Sequence, residues 1–151
     1  KTNMINNTNS HLKLEKQLCF RLYSLSKKMN RLYTPLLKEL SLTYPQYLVM
    51  LVLWDSANSV SIKTLALALD LDTGTLSPLL KRMETIGIIS RYRNKDDERS
   101  VDICLTESGQ QLKDKAIDIP AKMLSITGLT PKQLLTLTPQ LDQLLINLGD
   151  L

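Results

Sequence analysis

Cysteine and tyrosine side chains along the first predicted helix have the spacing that redox chemistry at a thiol would need. Cys19 is one of two cysteines in the chain, and Tyr23 and Tyr33 follow it by four and fourteen residues. At about 100° per residue in an α-helix, both tyrosines fall within ~40° of Cys19 around the helix axis. A phenol can donate a hydrogen bond to a thiolate, which favours the charged and nucleophilic form. The spacing therefore makes Cys19 a candidate reactive thiol.

A buried and inert thiol is the alternative interpretation of Cys19, and composition alone favours it, because free cysteines are among the most buried residue types. Cys19, however, flanks the apolar seam of this helix rather than lying on it; the seam consists of Leu18, Leu22, Leu25, Met29, Leu32 and Leu36. Tyr23 and Tyr33 are also too far apart along one straight helix to serve the same thiol. Cys104 falls on a predicted strand and is interpreted as incidental.

Composition and charge predict one helical domain and give a reason to test for binding of nucleic acid. The chain has 151 residues, 43% of them hydrophobic, with five glycines and 5% aromatic residues, which favours helices. A net charge of +4 is a reason to test for nucleic acid, although a weak one alone. Two cysteines and one histidine argue against a zinc site, and no cofactor is predicted. Without a secretory signal or a membrane-length apolar run, we expect a cytosolic protein and no membrane partner.

Two short helices near the middle of the chain predict a helix-turn-helix. Ser61 is the expected cap of the first helix and Asp72 of the second, which ends at Gly87. The second helix buries a leucine stripe, so its outer face supplies candidate DNA contacts: Thr73, Gly74, Thr75, Ser77, Pro78, Lys81 and Arg82. An ordinary solvated helix surface is the alternative. Because proline inside a helix removes a hydrogen bond, a helix start nearer Thr75 is also considered.

A predicted β-hairpin follows this pair of helices directly. Strand-like runs over residues 88–93 and 100–105 enclose the charged loop "NKDDER". A hairpin in this position is a wing, so the predicted fold is mainly α with a small β-hairpin wing, a winged helix-turn-helix. The candidate DNA contacts of the wing are Arg91, Arg93, Lys95, Asp97 and Arg99. The alternative is a solvated turn in which acidic and basic side chains neutralise one another.

The flanking helices predict dimerisation. Residues 12–40 and 106–151 carry more leucine than one small core needs, so they are assigned to the interface of a homodimer, with residues 44–105 as the DNA-binding part. Together, residues 12–151 form a single predicted domain behind a disordered tail over residues 1–11. The helix that begins at Thr106 is expected to kink at Pro120, and the last helix to begin at Pro131.

Four stretches of the sequence resemble the MarR family of winged-helix repressors, and within it the organic hydroperoxide resistance regulators (the OhrR group): "LCFRLYSLSKKMNRLYTPLL", "LTYPQYLVMLVLW", "LDTGTLSPLLKRME" and "KDDERSVDICLTESG". The resemblance implies a MarR-like dimer that binds a palindromic operator in double-stranded DNA. It also implies that Arg99 enters the minor groove, steadied by Asp97. The later helices match only in their helical character.

The same resemblance assigns the sensor. It implies that Cys19 is oxidised by an organic hydroperoxide and that Tyr23 and Tyr33 of the partner subunit are its hydrogen-bonding neighbours. Tyr44 or Tyr47 is expected to complete the pocket, with an apolar wall that includes Phe20. Oxidation to a sulfenic acid, with or without capping by a small thiol, would release the operator.

Two other functions remain open at the level of sequence. A repressor of the same fold could be released by a small aromatic ligand in the dimer crevice instead of by a peroxide. A thiol peroxidase that uses Cys19 would be an enzyme, but no resolving cysteine or histidine-rich site supports that reading.

Overall fold

A computed structural model describes residues 11–149. The predicted tail over residues 1–11 lies outside the described residues, apart from His11. Within the described part of the chain, seven α-helices and three β-strands follow in this order: α1 Leu18–Leu36, α2 Tyr44–Asp55, β1 Val60–Ser61, α3 Ile62–Leu69, α4 Thr73–Thr85, β2 Ile89–Arg93, β3 Val101–Leu105, α5 Glu107–Ala116, α6 Ile119–Thr127 and α7 Pro131–Leu148. Short 3₁₀ turns precede and follow α1. The mainly helical winged-helix fold predicted from the sequence is confirmed.

Side-chain caps set the first residue of most helices. Thr43 and Gln46 form a reciprocal capping box at α2, and Thr130 and Gln133 form another at α7. The Ser61 side chain accepts the Thr64 N–H at the start of α3. Each cap satisfies a backbone donor that the first turn leaves free. The caps predicted at Ser61 and Asp72 are confirmed.

The chain divides into two compact units, of which the first ends at Ala116 and the second begins at Ile117. The first unit contains the winged helix and is built around α2, of whose twelve residues six are buried. The side chains with no exposed surface in this core are Leu37, Val49, Met50, Leu65, Leu76, Leu80, Met83 and Ile103. The predicted inward stripe of α4 is therefore confirmed, and the opposite face of α4 is left free.

The wing is part of a three-stranded antiparallel sheet with the strand order β1, β3, β2. Ser90 lies opposite Cys104 and Arg93 opposite Val101, which confirms the predicted hairpin to within one residue at its ends. Strand β1 pairs Val60 with Ile103 and was not predicted, because two residues show no periodicity.

A close backbone approach holds the base of the wing against α5. A Cβ atom on Gly109 would lie 2.0 Å from the Ile88 carbonyl oxygen, so this position requires glycine. Trp54 Nε1 donates to the Gly109 carbonyl at 3.0 Å, and Thr106 Oγ1 donates to the Gly87 carbonyl at 2.6 Å. These contacts join α2, the end of α4 and the start of α5 around the base of the wing.

The prediction of one long helix kinked at Pro120 was wrong. Helix α5 ends at Ala116, and a new helix, α6, begins at Ile119 with Pro120 in its first turn. Proline has no N–H to donate, so it is tolerated in a first turn, where that donor is not needed, and disfavoured in a helix interior. Helix α7, by contrast, continues through Pro139.

Helices α1 and α7 each lack a buried residue in this chain. Apolar side chains of α1 are instead exposed, including Leu18 at 58%, Tyr23 at 61% and Leu25 at 54%. Leu135, Leu145 and Ile146 are similarly exposed on α7. Among the described residues, no helix has both the length and the apolar character needed to span a membrane.

Candidate DNA interface and sensor region

Helix α4 begins with a tightly bonded cap. Asp72 accepts hydrogen bonds from the backbone N–H and the hydroxyl of Thr75, both at 2.8 Å. The hydroxyl bond, followed by the backbone bond, lowers the pKa of the Asp72 carboxyl, so this group is charged at neutral pH. The Asp72 carboxylate therefore caps the first turn of α4.

That outer face is exposed as predicted. Thr73, Gly74, Thr75, Pro78, Lys81 and Arg82 are solvent-accessible, and Ser77 is half-buried. Pro78 is the sixth residue of α4, so the considered helix start near Thr75 was wrong. Its missing N–H leaves the Gly74 carbonyl, four residues earlier, without its helical donor. The face therefore presents two cations and several hydroxyls.

Arg91 binds within the protein. Its guanidinium donates to Glu84 Oε1 at 3.1 Å, and its backbone N–H donates to Glu84 Oε2 at 3.0 Å. The side-chain hydrogen bond from Arg91 is the main reason that the pKa of Glu84 lies below its usual value. Arg91, which the sequence predicted as a DNA contact, is therefore bonded to Glu84 of α4. This bond ties α4 to strand β2.

The other wing residues named from the sequence are exposed. Arg93, Lys95, Asp97 and Arg99 lie at or beside the tip of the hairpin. Asp97 Oδ1 accepts the backbone N–H of Arg99 at 3.1 Å, so its contact is with the Arg99 main chain rather than with the guanidinium. The Arg99 side chain is therefore presented from a turn that Asp97 helps to shape.

The thiol of Cys19 is exposed near the start of α1. Phe20 is 39% exposed and Tyr23 61% exposed on the following turn. Lys27 Nζ lies 5.0 Å from the centre of the Tyr23 ring, in cation–π range. Within a single chain, therefore, Cys19 is not buried.

The remaining predicted pocket residues form a separate aromatic cluster. The rings of Tyr33 and Tyr44 stack with their centres 4.4 Å apart, and Tyr47 lies 5.8 Å from Tyr33. Tyr47 also makes an edge contact with Trp54, at 6.3 Å between ring centres. Burial raises the pKa of Tyr33, Tyr44 and Tyr47, so all three phenols stay protonated as hydrogen-bond donors at neutral pH.

A single chain does not bring the thiol and the aromatic cluster together. Cys19 and Tyr33 are fourteen residues apart on α1, which corresponds to about 21 Å along the helix. Cys19 has no hydrogen-bond partner among the described residues. Any pocket that combines Cys19 with Tyr33 must therefore use two chains. Cys104 lies apart from both groups, with its sulfur 2.9 Å from the Ser90 hydroxyl.

Sequence reasoning missed two positioning residues, Glu84 and Asn94. Glu84 holds Arg91, and Asn94 makes several hydrogen bonds inside the wing tip. The alternation of charges around the wing was visible in the sequence, but the choice of partners depends on how β2 packs against α4. Only Asn94, at the start of the predicted turn, carried a local signal, because asparagine side chains bond the backbone two residues on.

Comparison with known proteins gives three findings. The family described as "Transcriptional regulator SarA/Rot" matches residues 31–116. The chain is 49% identical over 135 residues to the organic hydroperoxide resistance transcriptional regulator of Bacillus subtilis, covering 89% of this chain and 91% of that protein. The fold resembles the structure of reduced AbfR bound to DNA, with a TM-score of 0.75, 33% identity and coverage of 93% of this chain and 98% of that chain. An AbfR is known from Staphylococcus epidermidis.

A second structural relative is the reduced form of MarR from Escherichia coli. The TM-score is 0.70 at 26% identity, with 85% of this chain and 96% of that chain covered. Both structural relatives are in the reduced state, and the AbfR structure is bound to DNA.

Proposed function

Because the chain belongs to the SarA/Rot and MarR family of winged-helix transcriptional regulators, we propose that it is a repressor that senses organic hydroperoxides through Cys19. It is a DNA-binding regulator of the MarR type. The observation that carries the sensing proposal is an exposed thiol at Cys19 in a chain 49% identical to a hydroperoxide resistance regulator over nine-tenths of both sequences.

DNA contact is assigned to α4 and the wing. Lys81 and Arg82 are exposed on the outer face of α4 and have no ion-pair partner among the described residues, so they are free to neutralise phosphates. Thr73 and Ser77 supply hydroxyls for phosphates or base edges. At the wing tip, Arg99 is suited to a narrow minor groove, whose negative potential attracts arginine.

The working unit is a homodimer. Helix α1 has a continuous apolar face and no buried residue, so it needs a second surface to cover it. A second copy supplies that surface with two-fold symmetry, and two recognition helices then meet successive major grooves of a palindromic site. The leucine-rich α7 has the same need for a covering surface.

The sensing step is a two-electron oxidation at sulfur. The Cys19 thiolate attacks one oxygen of the hydroperoxide ROOH, an S–O bond forms as the O–O bond breaks, and the alcohol ROH leaves after taking up a proton. Sulfur is oxidised to the sulfenic acid, and the peroxide is reduced. A small thiol can then displace water from the sulfenic acid to form a mixed disulfide.

Tyrosines of the partner chain orient the thiolate. Tyr23 and Tyr33 share the side of α1 that carries Cys19, and burial keeps the Tyr33 phenol protonated as a donor. Tyr33 stacks on Tyr44 of α2, and α2 packs against α4. A displacement of α1 after oxidation therefore has a contiguous path through packed side chains to the recognition helix.

The test measures release of DNA by peroxide. The probe is a fluorescein-labelled duplex that the wild-type protein selects from a randomised library, and binding is followed by anisotropy. We expect cumene hydroperoxide to release the duplex from wild-type protein and from Cys104→Ser, the matched control, but not from Cys19→Ser. Intact mass after one equivalent of peroxide should show one added oxygen atom, located on Cys19.

Each alternative gives a different result. Release of Cys19→Ser by peroxide, as readily as wild type, would contradict the sensor role of Cys19. Release by salicylate and not by peroxide would select the aromatic-ligand repressor instead. Continuous consumption of peroxide with a small thiol, well beyond one equivalent, would indicate a thiol peroxidase.

A further inference from the structure

We infer that Asn94 and the buried carboxylate of Asp102 form a side-chain lock that holds the wing tip in its DNA-binding shape. The inference rests on the proposed contact of Arg99 with DNA and adds positioning residues for that contact. Neither Asn94 nor Asp102 is assigned a direct contact with DNA.

Asn94 bonds to both sides of the wing. Its side-chain oxygen accepts the backbone N–H of Asp96 at 2.8 Å and that of Asp97 at 3.3 Å. Its side-chain nitrogen donates to Asp102 Oδ2 at 2.7 Å on the opposite strand. Its backbone N–H donates to the Ser100 carbonyl at 2.9 Å, one step beyond the last residue pair of the hairpin. One residue thus joins the turn to both strands.

A second turn completes the tip. The Ser100 N–H donates to the Asp97 carbonyl at 2.9 Å, and Asp97 Oδ1 accepts the Arg99 N–H. The first turn is held by the side chain of Asn94 and the second by the side chain of Asp97. Asp97 belongs to both turns, so the position of Arg99 depends on the turn that begins at Asn94. No residue from 94 to 100 has a positive φ, so the tip keeps its shape through hydrogen bonds and not through glycine.

Asp102 anchors the lock in the protein interior. It is 8% exposed, and its strand pairs with β1 on one side and β2 on the other. A buried carboxylate is costly unless it is hydrogen-bonded, and Asn94 is its side-chain partner among the described residues. The bond therefore stabilises the tip and satisfies Asp102 at the same time.

The physical benefit of the lock is preorganisation. The tip carries Lys95, Asp96, Asp97, Glu98 and Arg99, whose acidic members repel phosphates. If the tip were loose, binding DNA would require ordering several backbone residues while keeping the three carboxylates away from the duplex. A preformed tip removes that cost and fixes which side chains face the groove.

A reciprocal exchange tests the lock without changing the net charge. Asn94→Asp places two carboxylates together and should weaken binding to the selected duplex by more than tenfold. The double variant N94D/D102N restores an amide-to-carboxylate hydrogen bond in the reverse direction and keeps an oxygen at position 94 that can accept both turn N–H groups. It should return affinity to within about threefold of wild type. Asn94→Ala, which preserves charge, should lose roughly tenfold.

A double-mutant cycle with Arg99 separates positioning from general damage. If Asn94 acts through the tip, Asn94→Ala should cost less than about twofold in affinity in an Arg99→Ala background. Thermal unfolding of Asn94→Ala should shift to lower temperature, because Asp102 loses its side-chain partner, and amide hydrogen exchange at Asp96 and Asp97 should accelerate. Asn58→Ala, in the turn before β1, is the matched control and should leave affinity unchanged.

Three outcomes would overturn the lock: wild-type affinity in Asn94→Ala, no recovery in the reciprocal double variant, or full additivity with Arg99→Ala. Failure of the proposed function would look different. In that case wild-type protein would bind DNA without release by peroxide, and the order of affinities among the Asn94 variants would still report on the lock.

Discussion

Helices α1 and α2 are both rich in large apolar side chains, yet a single chain buries many residues of α2 and none of α1. Six of the twelve residues of α2 are buried, and none of the nineteen residues of α1 is. Helix α2 is apolar around its whole circumference and packs against α3, α4, α5 and β3. Helix α1 has one apolar face and one strongly basic face. The pattern around the helix, more than the amount of leucine, determines which helix forms the core.

This difference separates two sources of stability. The winged-helix core is complete within one chain, so its side chains support the outer face of α4 whether or not a partner is bound. The apolar face of α1 contributes only when a second surface covers it, which in the proposed dimer is another copy. A sensor on α1 can therefore alter assembly of the dimer without unfolding the winged-helix core.

Truncation inside the α2–α4 core should have the largest effect. Leu80 has no exposed surface, and Leu80→Ala leaves a cavity as well as losing apolar burial, so we expect the free energy of unfolding to fall by about 2–5 kcal/mol. Urea unfolding followed by circular dichroism measures this loss. Leu67→Ala, at a site 73% exposed on α3, is the matched control and should cost less than ~0.5 kcal/mol. Equal losses would break the contrast between core and surface leucines.

A charge on the apolar face of α1 should act on assembly and spare the core. Leu25→Glu places a carboxylate where the dimer would bury it, so we expect the dimer dissociation constant to rise at least roughly a hundredfold. Sedimentation velocity measures this change. Lys27→Glu, about 200° away around the same helix, is the control and should leave the dimer intact. Dissociation by Lys27→Glu alone would place the interface on the basic face.

Local signals in the sequence were enough to predict the helices and the hairpin. Asp72 and Thr130 cap their helices through bonds to residues three positions on, and such bonds depend on nearby sequence. The Pro120 break was missed because a proline permits either a kink or a new first turn. The choice depends on packing that periodicity does not encode.

Contacts between elements could not be predicted in the same way. Arg91 looked like a phosphate ligand because the sequence does not show that Glu84 on α4 faces it across the Gly87 turn. The stacking of Tyr33 on Tyr44 likewise joins α1 to α2. The residue types of the sensor were identifiable from helical phase, whereas the grouping of Tyr33, Tyr44 and Tyr47 follows from tertiary packing.

Adding one methyl group at the base of the wing, at Gly109, should lower the stability of the winged-helix core. A Cβ on Gly109 would meet the Ile88 carbonyl at 2.0 Å, so Gly109→Ala should lower the free energy of unfolding by about 1–3 kcal/mol. Alanine would otherwise favour a helix by ~1 kcal/mol over glycine. Gly74→Ala, whose nearest obstacle is the end of the Asp72 side chain at 3.0 Å, is the control and should cost less than Gly109→Ala. A stabilised Gly109→Ala in thermal unfolding would contradict the close approach.

The smallest effect should come from the bond between α4 and the wing, and it should depend on pH. The Arg91 hydrogen bond lowers the pKa of Glu84 in the folded protein. The resulting stability is present above the pKa of the unfolded state, about 4.3 for glutamate, and is lost as the pH falls through the lower folded value. Glu84→Gln should therefore destabilise the protein slightly at neutral pH and progressively less in acid. Glu98→Gln, at an exposed site in the wing, should show no such trend in urea unfolding across this range. A Glu84→Gln loss that stayed constant into acid would mean that Glu84 acts by shape rather than by charge.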